Sequence, residues 1–199
     1  MTVVRLPDGR LVVHNAVALD EASMAELERF GEVAFVIVPN AFHRIDAPRF
    51  AARYPSAKIV CPPAAQKAVS KVCRVDGHLD TLPRDAGLDV TLVAGSGGKE
   101  GVLTVREPEG ATLVFNDAVF NMPHVPGAQG WVLKNVTQSS GGPKVTRVAR
   151  WFLLGDLRAF GQQLVELAGT PDLRRVIVSH HEMITEAPGE TLRANTATL

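Results

Sequence analysis

Apolar and polar positions follow two rhythms along this chain, and the places where each rhythm breaks predict its elements. Val3–Leu6 and Leu11–Val13 flank Pro7-Asp8-Gly9-Arg10, and an Asp-Gly pair between two β-rich runs predicts a hairpin. Met24, Leu27 and Phe30 then recur at helical spacing behind Asp20, a natural N-cap, and Gly31 supplies the stop. Val33–Val38 (VAFVIV) predicts a buried strand, Ala47–Arg53 a short helix with Pro48 in its first turn, and Ala57–Cys61 a further strand. Pro62-Pro63 opens a helix predicted to run to about Val72, with Ala65, Val69 and Val72 facing inward. This strand–helix–strand–helix alternation argues for parallel β-α units.

From Leu88 the rhythm changes. LDVTLVAG, GVLTVRE and ATLVFND are strands separated by turns with no helix between them, which predicts a β-meander and a mixed α/β fold. Residues 121–150, rich in Pro, Gly and Ser, read as a long excursion without clear periodicity, packed onto the core by Trp131 and Trp151. Leu157, Phe160, Leu164 and Leu167 define one face of a helix that starts at Asp156 and ends at Gly169, ahead of a strand at Arg175–Val178. The tail after Pro188 is polar and reads as peripheral. With no repeat and no linker, residues 1–199 are expected to form one domain.

Composition narrows the function classes. The 21 basic and 21 acidic residues cancel, so nothing points to a nucleic-acid or membrane-surface partner. Cys61 and Cys73 are the only cysteines, too few for a disulfide scaffold, and are expected to be free, mostly buried thiols. No basic-then-apolar leader opens the sequence and no apolar run reaches membrane-spanning length, so a cytoplasmic location is expected.

The candidate chemistry lies where apolar runs stop. VAFVIV runs into Pro39-Asn40-Ala41-Phe42-His43, ATLVF into Asn116-Asp117, and Val176–Val178 into Ser179-His180-His181-Glu182. Polar groups at the carboxyl ends of several strands are how α/β enzymes commonly assemble a site. Ser139-Ser140-Gly141-Gly142 lacks the strand and helix of a nucleophile elbow, and Gly95-Ser96-Gly97-Gly98 lacks the Lys-Ser/Thr of a phosphate-binding loop. His14, His78 and His124 read as surface or loop residues, although His124 sits in the excursion and is placed to fold over a site.

The order of these elements, with Pro39-Asn40…His43, Glu100, Leu113-x-x-x-Asp117 and Ser179-His180, resembles the metallo-β-lactamase superfamily, in a divergent, uncharacterised branch with degenerate metal motifs. The resemblance implies a four-layer αββα sandwich with mixed sheets and a metal site along one edge. It carries over Asp117 as the metal-bridging and catalytic carboxylate, and His43 and His180 as metal ligands, with Glu100 and His181 as weaker candidates. The superfamily's His-x-His-x-Asp-His loop is not reproduced: no register of Asn40–Asp46 keeps more than two strong ligands. Phe42 or Ile45 at the metal edge is expected to make the pocket apolar.

Two functions follow. The favoured one is a non-catalytic relative that has lost the dinuclear site and binds a small molecule or a partner, a second copy of itself included. The alternative is a metal-dependent hydrolase with a reduced, mononuclear site of His43, Asp117 and His180, suited to one zinc, iron or manganese ion.

Overall fold

The computed structural model describes residues 1–84, 87–197 and 199. Its contacts divide the chain into two units, Met1–Val90 and Thr91–Leu199.

In the first unit the predicted hairpin pairs β1 (Thr2–Arg5) antiparallel with β2 (Leu11–His14). β3 (Val33–Ile37), β4 (Lys58–Cys61) and β5 (Gly77–His78) then add in parallel, giving the order β1-β2-β3-β4-β5. α1 (Glu21–Phe30) starts where Asp20 accepts the Ser23 N–H at 2.9 Å and stops at Gly31. α2 (Ala47–Arg53) has the predicted bounds. The core gathers Leu11 and Val13 from β2, Met24 and Leu27 from α1, Val36 from β3, Phe50 from α2 and Ile59 from β4.

Two expectations for this unit are corrected. The helix after Pro62-Pro63 is a 3-10 turn followed by the four-residue α3 (Gln66–Val69), and Val72 is exposed. Its end is marked by the turn in which the Cys73 N–H returns to the Val69 carbonyl. His14 is not a surface residue. As the last residue of β2 it is buried, and its Nε2 has no hydrogen-bond partner among the described residues. Both cysteines are free, Cys61 buried and Cys73 half-buried.

The second unit carries the meander. β6 (Leu88–Leu92), at the boundary, β7 (Gly101–Glu107), β8 (Gly110–Val114) and β11 (Leu173–Ile177) form a sheet in the order β11-β8-β7-β6. β7 and β8 are antiparallel, β8 and β11 parallel. α5 (Leu157–Ala168), capped by Asp156 on the Ala159 N–H, buries Phe160 and Leu164 among Val102, Leu113, Phe115 and Val176.

The excursion is not structureless. It forms β9 (Phe120–Met122), α4 (Gly127–Asn135) and β10 (Gly142–Lys144), with β9 and β10 paired antiparallel as a ribbon. A π-type turn at Ala149–Leu153 follows, closed by the Leu154 N–H on the Ala149 carbonyl at 2.9 Å. The tryptophans do not anchor it: Trp131 is 63% exposed and Trp151 60%. Buried Val145, Ala149 and Leu153 hold this segment to the core instead. The tail is also ordered. α6 (Pro188–Thr196) packs on α5 and buries Leu192 completely, worth roughly 2 kcal/mol of apolar burial. No helix among the described residues is long and apolar enough to cross a membrane.

Candidate metal centre

The parallel register of β8 and β11 sets the geometry of the site. Leu113 pairs with Val176 and Val114 with Ile177. The same offset continues past both strand ends, where the chain leaves the sheet and polar residues become possible. Asn116 therefore meets Ser179, whose hydroxyl donates to the Asn116 Oδ1, and Asp117 meets His180. His180 Nε2 and Asp117 Oδ1 lie 2.9 Å apart, both side chains partly exposed. The Phe120 ring, from β9, stacks on the His180 imidazole with centroids 4.1 Å apart and planes 19° apart, which fixes the ring's attitude.

Glu100, directly before β7, holds the Asp117 loop from beneath. Its Oε1 accepts the N–H groups of Asn116 and Ala118, each at 3.0 Å, and its Oε2 accepts that of Asp117 at 2.9 Å. The side chain is completely buried, and both its oxygens serve as a backbone clasp. Burial, and then the negative Asp117 beside it, push the Glu100 carboxyl up to about 7 against the pull of those three N–H groups.

The remaining candidates fall out as follows. His43 belongs to the first unit, in the loop after β3. There the Asn40 Oδ1 accepts the N–H groups of Phe42 and His43, and His43 Nδ1 lies 3.3 Å from the Asn15 Oδ1. Asp46 is engaged structurally, accepting the Ala18 N–H at 3.1 Å. His181 has a positive φ of 74° and faces its neighbour Glu182, Nδ1 to Oε1 3.6 Å, so consecutive histidines diverge. His124 bonds the Ser140 hydroxyl and His78 the Gln66 amide. Phe42 and Ile45, in the same loop as His43, are 68% and 85% exposed.

Phe120 and the clasp role of Glu100 were missed from sequence. The available signal was a carboxylate flush against the apolar run GVLTV, where a charge survives only if backbone donors receive it.

The donor chemistry fits a cation. Bonds of about 2.0–2.1 Å, at angles between square and tetrahedral, place neighbouring ligand atoms roughly 2.9–3.3 Å apart. Asp117 Oδ1 and His180 Nε2 meet that spacing without rearrangement. A carboxylate and an imidazole together suit zinc, iron or manganese.

No protein-family model matches the sequence, and no curated protein matches it. Solved structures do match. TMB-1, whose structure was described for two residues acting in substrate and inhibitor binding, aligns over 98% of this chain and 84% of its own, with a TM-score of 0.61 and 10% identity. The DIM-1 metallo-β-lactamase aligns over 98% of this chain and 85% of its own, with a TM-score of 0.60 and 10% identity. The same enzyme exposed to ceftazidime gives 0.59 and 12% identity, covering 98% and 83%. The protein therefore has the metallo-β-lactamase fold, as the resemblance implied.

Proposed function

We propose that this protein binds a single divalent metal ion through Asp117 and His180 and is a metal-dependent hydrolase with a one-ion site. The observation that carries the reading is the Asp117–His180 pair. Two strand ends in continued register bring a carboxylate and an imidazole to ligand spacing, clasped below by Glu100 and stacked by Phe120.

A bound divalent ion would supply Lewis acidity and a water acidic enough to ionise near neutral pH. The chain's own contribution is positioning. Phe120 keeps the His180 ring in one plane, and the Glu100 clasp fixes the backbone that carries Asp117. The carboxylate of Asp117 is placed to accept a proton from an attacking water.

The test is elemental analysis of protein purified without added metal or chelator. Near-stoichiometric zinc, iron or manganese, lost in Asp117→Asn and His180→Ala, is the expected result, followed by hydrolysis of ester, thioester or lactam probes. Protein that stays metal-free after reconstitution refutes the proposal. A second reading is favoured by the same contact: at 2.9 Å the pair is already a complete hydrogen bond, as a non-catalytic ligand- or partner-binding relative would have it.

A further inference from the structure

The excursion from residue 121 to 150, together with α6, encloses a cleft of about 660 Å³. Its lining includes Lys134 from α4, Lys144 at the end of β10 and Arg150 in the π-type turn, with His124, Ser140 and Asn195 between them. None of the described lining residues is Asp or Glu. We propose that this cleft binds a small molecule carrying a phosphate group, through Lys134, Lys144 and Arg150.

Three observations point to a built site rather than a solvated basic face. The chain as a whole is neutral, with 21 residues of each sign, so three cations on one concave surface are a local arrangement. Arg53 and Arg74 of the first unit sit on carboxylates, Arg53 on Glu21 and Glu28 and Arg74 on Asp76. Lys134 and Lys144, by contrast, have no carboxylate partner among the described residues. Two of the three cations are also held in place by backbone. Lys144 Nζ donates to the Ser140 carbonyl at 2.7 Å, and Arg150 Nη2 to the Val145 carbonyl at 3.3 Å, leaving both half-buried. A backbone carbonyl of this kind orients the Lys144 ammonium without neutralising it.

The walls are equally specific. Asn195 of α6 accepts the Val145 N–H at 2.9 Å and donates to the Pro143 carbonyl, tying β10 to the helix. Gly141 has a φ of +98°, and a Cβ there would stand 2.7 Å from the His124 ring, so this wall closes only around glycine. Arg150 sits in an i→i+5 turn, a backbone irregularity common at binding sites.

Three positively charged residues lining one cleft exceed what one carboxylate needs and match the nearly doubly negative charge and three acceptor oxygens of a phosphate monoester. The cleft volume lies within the range for small metabolites and is far more than a bare ion fills. The inference does not depend on a metal. The β9–β10 ribbon nevertheless links the two sites, since Lys144 pairs with Phe120, the residue stacked on His180.

The experiment is a titration of chelator-treated, isotopically labelled protein, followed by amide chemical shifts and by calorimetry. The probes are glycerol 3-phosphate, inorganic phosphate and, as a control, acetate. Chelator removes any contribution of a metal–phosphate contact. The expected result is saturable binding of the ester, tighter than that of inorganic phosphate, with shifts centred on residues 124–150 and 195. Lys144→Gln and Arg150→Gln should each weaken it about tenfold, the loss expected for one charge-assisted hydrogen bond. Stronger binding of inorganic phosphate than of the ester would keep the site and assign it to the free ion. The proposal is overturned by the absence of saturation with both phosphates, by acetate binding equally well, or by shifts that map elsewhere. Shift mapping on the wild-type protein decides the matter even if a variant fails to fold.

Discussion

Acidifying the solution should cost this protein stability through one residue, His14. It ends β2, is 2% exposed, and has an Nε2 with no hydrogen-bond partner among the described residues. Burial is the main reason its pKa falls to about 3 from the ordinary 6.5, and the positive charges of the amino terminus and His43 add to it. The folded state thus refuses a proton that the unfolded chain accepts. Between pH 6.5 and about 3 the unfolded state binds more protons, so stability rises with pH across that window and is lost as pH falls. Each pH unit below 6.5 is worth roughly 1.4 kcal/mol until the folded state itself begins to take up the proton, which makes about 2 kcal/mol by pH 5 and about 4 kcal/mol by pH 3. That is a large part of the roughly 5–15 kcal/mol that holds a typical domain together. The assay is urea denaturation at about pH 8 and about pH 5, comparing wild type with His14→Leu. Leucine is apolar and of similar size, and it removes both the proton site and the orphaned nitrogen. The variant should equal or exceed wild type at pH 8 and exceed it by a further ~2 kcal/mol at pH 5. An identical loss in both proteins would refute the argument.

Glu100→Ala should destabilise by at least ~3 kcal/mol in the same assay, because three backbone N–H groups lose their acceptor. Exposed Glu109→Ala should change little, and equal effects would discredit the clasp. Gly95 has a φ of +72°, and a Cβ there would lie 2.0 Å from the Asp156 carbonyl oxygen, so Gly95→Ala should cost about 3 kcal/mol, read as a lower urea midpoint. Burial, and then Cys73, push the Cys61 thiol up to about 11, so an aromatic disulfide reagent should label Cys61 only on unfolding, and rapid labelling of Cys61 in the native protein would contradict its placement.

What was legible in the sequence was what local rules encode. Asp20 and Asp156 cap α1 and α5 as expected, the Asp-Gly hairpin formed, and the VAFVIV, AKIVC and ATLVF runs became β3, β4 and β8. Asp117 and His180 stood out as candidates for the same reason: each follows an apolar run. The partnerships were not legible, because they depend on the register between β8 and β11, and that is a property of two distant segments. The clasp role of Glu100 was not legible either, since its three donors lie on a loop sixteen to eighteen residues away. The excursion failed for a different reason. α4 buries only Gly130 and exposes Trp131, so it carries no apolar stripe, and β9 and β10 are three residues each. With α6, burial of Leu192 between polar neighbours gave one anchor where periodicity needs several.

The contact between Asp117 and His180 looks like a choice between hydrogen bond and metal, but the ring geometry makes the two states nearly the same structure. In the hydrogen bond Nε2 carries the proton that Asp117 accepts; in coordination Nε2 presents its lone pair and the proton resides on Nδ1. Only the tautomer changes, provided the ring does not rotate. Phe120 supplies that restraint, with its face 4.1 Å from the imidazole. Removing it should therefore act on metal affinity more than on folding. For Phe120→Ala we expect metal to bind at unchanged stoichiometry with about tenfold lower affinity, the size of effect seen when support behind a ligand is lost. Competition with a chromophoric chelator measures it. Unchanged affinity would mean that the ring is oriented by Asp117 alone, and that the stack belongs to the β9–β10 ribbon rather than to the metal centre.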